Sequence, residues 1–233
     1  MRRAHSEAAH VGNGHDLRDL VFGANDGLVA AFAVVSGVHG AAVSTRIVLL
    51  AGLAELIGGT ISMGLGAWLA AKSEQEFIES ERAREEREVR ELPEEERREV
   101  RELYEKKGLS GDILDAVVAK LTEDPKRWVD LMMEEELGIS PIPQGSPLRS
   151  AMTTGLSYTV GAAFPVIPYM LPIDTHAAFI ASIASTLGAL FAAGALKTRI
   201  TGRSFFRSGA ESMCIGAIAA AATYLAGRLI AGG

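Results

Sequence analysis

Two acids sit inside apolar runs of this chain. Asp26 lies in the first run and Glu55 in the second, with Met63 two turns beyond Glu55. A carboxyl in a membrane-length segment is costly enough to mark a candidate functional site. It is cheapest there without its charge, so an arriving cation must displace a proton. That is a chemical basis for exchanging metal against protons. Met63 is about 12 Å along the helix from Glu55 and about 80° round it, so one ion on one straight helix cannot touch both. Either successive sites form a path, or a second copy of the chain completes one site. The plainer alternative is a pair of protonated acids hydrogen-bonded between helices.

A second constellation lies between residues 72 and 147. At 100° per residue, Glu74, Glu81, Glu85 and Glu88 fall within about 60° of one another on a helix. Glu95, Glu96, Glu99 and Glu102 share a face of the next helix, while Arg97, Arg98 and Arg101 point elsewhere. Like charges at i,i+3 and i,i+4 weaken a helix, and two such stripes repel unless a cation stands between them. The ordinary alternative is a solvated hairpin laced by the i,i+4 pairs Arg84–Glu88, Glu86–Arg90 and Glu94–Arg98. A later helix adds Met132, Met133 and Glu136, with Trp128 and Leu131 as core anchors. Adjacent methionines cannot both face one core, so one of them is free to act as a ligand. Carboxylates with a thioether suit Fe²⁺, Mn²⁺, Co²⁺ or Zn²⁺ better than Ca²⁺. The segment has no His and no Cys, which argues against a structural zinc site. It also argues against a di-iron oxidase, whose sites pair Glu with Glu-x-x-His, so no enzyme is expected.

These residues require an all-α membrane protein. The chain has 233 residues, 48% of them hydrophobic, and a net charge of −6 concentrated in the 72–147 insert. Five segments reach the roughly 20 residues a bilayer needs: 17–38, 47–71, 148–171, 175–196 and 209–230. This divides the chain into a polar tail (1–16), transmembrane helices 1 and 2 (17–71), a metal-binding insert (72–147) and transmembrane helices 3 to 5 (148–233). With the N-terminus inside, Arg2, Arg3, Arg18, Lys72, Arg149 and the basic 197–208 loop are all cytoplasmic. The insert is then cytoplasmic too. Gly58, Ser62 and Gly66 make a small-residue stripe suited to helix contact, within the chain or between two copies. Pro165 and Pro168 must bend or unwind the third span, either to line a polar cavity or as a kink near the outer loop. The insert reads as three helices: the unbroken continuation of span 2, one from Pro93 to Gly108, and one from Asp124-Pro125 to Gly138. Ser110 to Leu121 adds at most a short helical turn. His5, His10 and His15 read as part of a disordered tail, without a signal peptide and without metal capture. Cys214, the only cysteine, reads as a packed thiol.

Asn25-Asp26-Gly27-Leu28 at the head of an apolar run resembles the vacuolar iron transporter family. So does Glu55 followed by Ser62-Met63-Gly64-Leu65-Gly66 and Ala70-Ala71-Lys72-Ser73-Glu74. Leu131-Met132-Met133 with Glu136-Leu137-Gly138 is similar to the end of that family's cytoplasmic metal-binding domain. The resemblance runs from about Leu17 onward. It implies five spans, a homodimer, and proton-coupled export of Fe²⁺ or Mn²⁺ from the cytoplasm. It further implies a membrane pathway at Asp26, Glu55 and Met63, and insert ligands at Glu85, Glu88, Glu96, Glu99, Met132, Met133 and Glu136. Glu74 also matches the motif. Glu134, Glu135 and the histidine-bearing tail lie outside the family pattern. The expected setting is the cell membrane of a prokaryote, or the vacuolar membrane in a eukaryote, with no nucleic-acid partner. The rival is a membrane-anchored metal sensor or oxidase that binds metal without moving it.

Overall fold

The computed structural model describes residues 2–139, 145–201 and 204–232, with side chains for 16–139, 145–196, 198 and 204–232. All regular structure among the described residues is helical. The chain divides into two compact units, Met1–Leu69 with Gly145–Gly233, and Ala70–Gln144.

The first unit is built around α1 (Arg2–Gly40), against which α6 (Pro147–Val166), α7 (Thr175–Thr201) and α8 (Phe205–Ile230) pack. Small residues make this possible. A Cβ on Gly27 would stand 2.2 Å from the Tyr158 carbonyl oxygen of α6, and one on Gly227 of α8 would stand 1.9 Å from that of Gly37. In lipid, close packing of this kind replaces the hydrophobic driving force. The core holds Ala31, Val35, Val48, Tyr158, Ala162, Val166, Tyr169 and Ala178. Among the described residues, four helices are long and apolar enough to cross a membrane: Asp16–Gly40, Thr45–Glu91, Thr175–Leu196 and Phe205–Ile230. The helix expected as the third span, α6, is not among them. Its inner face carries Thr154, Ser157 and Tyr158, while Leu148, Met152, Leu156, Val160 and Phe164 form an exposed apolar stripe at four-residue steps.

The two prolines act near the end of α6. The helix tightens to a 3₁₀ turn at Ile167–Met170. Pro168 has no N–H for the Phe164 carbonyl, and Ser185 of α7 donates to that oxygen instead at 3.2 Å. Ser182 donates to the Pro165 carbonyl at 2.9 Å. The freed backbone acceptors are thus met by α7 side chains, so the helix end is a capped kink.

The second unit contains the later turns of α2 (Thr45–Glu91), then α3 (Pro93–Lys106), α4 (Gly111–Leu121) and α5 (Pro125–Glu135). Pro93 and Pro125 open their helices, where a missing N–H costs nothing. Asp124 caps α5 by accepting from the Lys126 N–H at 2.9 Å. Gly108 and Gly138 take positive φ just past the ends of α3 and α5, the usual helix stop. The core is Val89, Val100, Leu114, Val118, Trp128, Val129, Met132 and Met133. Arg82 of α2 bonds Asp130 of α5 at 2.6 Å, and Arg101 of α3 pairs with Asp115 of α4.

Several expectations need correction. Residues 111–121 form a full helix, because Leu114 and Val118 give it a buried face; among its described residues the insert holds four helical segments, not three. The backbone of Arg2 onward is helical and continuous with α1 where a disordered tail was expected, and no proline interrupts it. The side chains of His5, His10 and His15, and of Lys197, Arg199 and Arg203, lie outside the described residues. Cys214 is exposed, not packed: an apolar helix in lipid shows apolar residues outward as well as inward. Met132 and Met133 are both buried, at 0% and 2% exposure, because core residues from α2, α3 and α4 cover more than one side of α5.

Candidate metal sites

In the second unit the acids converge from three elements. Glu85 and Glu88 come from α2, Glu96 and Glu99 from α3, and Glu136 from the end of α5. Each of Glu85, Glu96 and Glu136 feels the charge of Glu88 and Glu99. Glu85 is 2% exposed and Glu96 4% exposed. Burial, then the like charges of Glu99, Glu85, Glu88 and Glu136, pushes the Glu96 carboxyl up to about 7. Burial also raises Glu85 against the opposing hydrogen bond from Arg84. Glu136, on the rim, is raised by desolvation and by Glu99 and Glu85. One oxygen of Glu85 and one of Glu96, both Oε2, are buried without a hydrogen-bond partner. A buried carboxylate oxygen left unmet is costly, and a cation is the simplest remedy.

As placed, no three His, Cys, Asp or Glu side chains among the described residues close tightly enough to hold an ion. The Arg84 guanidinium stands among the acids of α2. It reaches Glu81 and Glu85 at 3.1 Å each and Glu88 at 3.7 Å. Of the expected i,i+4 pairs, Arg84–Glu88 is therefore present. Glu86 instead pairs with Arg82 and Glu94 with Arg97. Glu74, Glu95, Glu102 and Glu134 are exposed. Glu135 pairs with Lys107.

In the first unit a residue not picked out from the sequence joins the two acids. The Tyr158 hydroxyl of α6 donates to Glu55 Oε1 at 2.6 Å. Asp26 of α1 lies within electrostatic reach of Glu55 and of Tyr158. Asp26 and Glu55 are half-buried, and Met63 packs against the core cluster that contains Tyr158. Gly59 creates the room for the phenol: a Cβ there would stand 2.2 Å from the Tyr158 oxygen. Nearby, the hydroxyls of Thr60 and Thr159 pair at 2.7 Å. Gly59, four residues after Glu55, was the one sequence signal that a bulky side chain from another helix must approach at that depth.

In the second unit the carboxyls of Glu85, Glu88, Glu96, Glu99 and Glu136 lie within electrostatic reach of one another, and in the first unit Asp26, Glu55 and Tyr158 do. Gly58 and Gly66 have open space beside them, so their stripe makes no close contact inside this chain. The VIT family profile matches residues 17–228. The chain is 40% identical over 226 residues to vacuolar iron transporter 1 of Arabidopsis thaliana, covering 97% of this chain and 90% of that protein. It is 39% identical to vacuolar iron transporter 1 of Oryza sativa subsp. japonica over 94% of this chain and 87% of the relative. It is 30% identical to protein CCC1 of Saccharomyces cerevisiae over 92% and 69% of the two chains.

Proposed function

This chain belongs to the VIT family, a family of transporters and not of enzymes, and from that premise we propose that it exports divalent iron from the cytoplasm in exchange for protons. The observation that carries the proposal is the convergence of Glu85, Glu88, Glu96, Glu99 and Glu136, from three helical segments, in the unit whose core holds Met132 and Met133. The insert captures the ion there. The names of the relatives support iron as the cargo, and the carboxylate–thioether set accommodates Mn²⁺, Co²⁺ or Zn²⁺ by the same chemistry.

Asp26, Glu55 and Met63 form the membrane pathway, with Tyr158 holding the Glu55 carboxyl in place. A cation taking that carboxyl displaces the Tyr158 hydroxyl from it, and the exchange for protons follows from the cost of an ionised acid at membrane depth. Glu74, exposed on α2, lies before the capture site in sequence and plays at most an auxiliary part. The lipid-suited stripe on α6 supports a fifth span. That span carries the chain out, so that the next returns it to the side where the basic residues gather, which makes the insert cytoplasmic and the direction outward. The open Gly58–Gly66 face supports a homodimer assembled through α2.

The test is flux into or out of sealed proteoliposomes with an imposed proton gradient, offering Fe²⁺ or Mn²⁺ to wild type and to Asp26→Asn. Flux that needs the gradient and is lost in Asp26→Asn is expected. Binding without flux in wild type would replace the transporter reading with that of a metal sensor.

A further inference from the structure

Arg84 is a problem for a simple capture site. Ion pairs to Glu81, Glu85 and Glu88 all come from this one guanidinium among the described residues. Glu85 and Glu88 are two of the acids assigned to the metal. The neighbouring cations are engaged elsewhere: Arg82 with Asp130 and Glu86, Arg97 with Glu94 and over the Trp128 ring, and Lys107 with Glu135.

The guanidinium is also an incomplete solution. It serves acids of its own helix and leaves Glu85 Oε2 and Glu96 Oε2 buried without a partner. Its own Nε is likewise buried without a hydrogen bond, 3.7 Å from Glu88. Among the described residues it makes no ion pair with an acid of α3 or with Glu136. A compact divalent ion with several oxygen ligands can gather all of them. The cluster therefore has a weak occupant built in and buried oxygens that a stronger one would meet.

We infer that Arg84 is a tethered competitor of the metal: its guanidinium holds carboxylate oxygens of Glu85 and Glu88 that the ion must take, so loading swings Arg84 out and Arg84 sets the insert's affinity. The inference rests on the proposed capture role of the insert. It has a functional consequence. A capture site that hands its ion onward must not hold it too tightly, and an arginine ready to return to the same oxygens lowers affinity and assists release. Arginine suits this role because it stays charged at every physiological pH.

The test uses the full chain in lipid nanodiscs, with Mn²⁺ as the probe and its free fraction read by electron paramagnetic resonance. Sites in the insert are those abolished by Glu96→Gln. Arg84→Gln should tighten them about tenfold, the sum expected of three partly screened ion pairs. Arg84→Lys, which keeps the charge but loses the fork, should fall between the two and carries the test if the Gln variant fails to fold. Without metal, hydrogen exchange across residues 85–100 should rise in Arg84→Gln, and Mn²⁺ should bring it back to the wild-type level. Affinity that is unchanged or weaker in Arg84→Gln overturns the competitor role while leaving capture intact. A wild type with no Glu96-dependent Mn²⁺ site overturns capture itself, and the competitor role with it.

Discussion

Glu96 is ionised only against burial and four like-charged neighbours, which push its carboxyl from 4.5 up to about 7. Between those pH values the folded insert keeps a proton that the unfolded chain has released. The contribution of this group to stability is therefore full below about pH 4.5 and is lost as pH rises through about 7. Metal takes the deprotonated cluster, so affinity must rise over the same window, by up to about tenfold per pH unit for each proton released. Mn²⁺ titrations at about pH 5.5 and pH 8 should show this slope; a wild-type affinity independent of pH would contradict the assignment. The methionines pose a separate question, because both are buried and both pack in the core. Met132→Leu and Met133→Leu conserve volume and should cost less than about 1.5 kcal/mol, whereas Met132→Ala should cost about 2–5 kcal/mol. Calorimetry on the full chain measures these costs. Lost Mn²⁺ affinity in a Leu variant that stays folded would mark a thioether ligand, and retained affinity would mark a core residue.

At the scale of elements, the α1–α6 contact decides the membrane site. Gly27 lies directly after Asp26 and lets the α6 backbone approach at Tyr158, and Gly59 makes room for the Tyr158 phenol beside Glu55. Gly27→Ala drives a methyl into backbone that cannot rotate away. It should destabilise the protein by about 1–3 kcal/mol or more, read as a lower thermal midpoint in detergent. Tyr158→Phe removes one oxygen and no packing. It should leave that midpoint nearly unchanged while slowing proteoliposome flux, since the Glu55 carboxyl then lacks its donor. Equal flux in Tyr158→Phe and wild type would reduce the hydrogen bond to a structural one.

For the whole molecule, the outer face of α2 is the open question. Leu50, Ile57, Ile61 and Leu65 are exposed along it, beside Gly58 and Gly66 with nothing against them. Lipid can cover such a face, and so can a second copy, which gains more from the small residues. Gly58→Leu should convert a dimer to a monomer in mass photometry without disturbing the single-chain fold, because no atom of this chain lies in the way. An unchanged mass distribution would leave that face to lipid.

The sequence by itself determined the all-helical fold, the stops at Gly108 and Gly138, the starts at Pro93 and Pro125, and the family through its Asn-Asp-Gly and Ser-Met-Gly motifs. These are local or periodic properties, written in one stretch of chain at a time. The acids could be named from the sequence because a charge in an apolar run, or a stripe of like charge, is anomalous wherever it occurs. Only the tertiary structure decided that Tyr158 grips Glu55, that Arg84 stands among the insert's acids, that both methionines are enclosed, and that residues 111–121 are a helix with a buried face. The reason is physical: helical period fixes which residues share a face, but which turn of one helix meets which turn of another depends on where small residues let two backbones close.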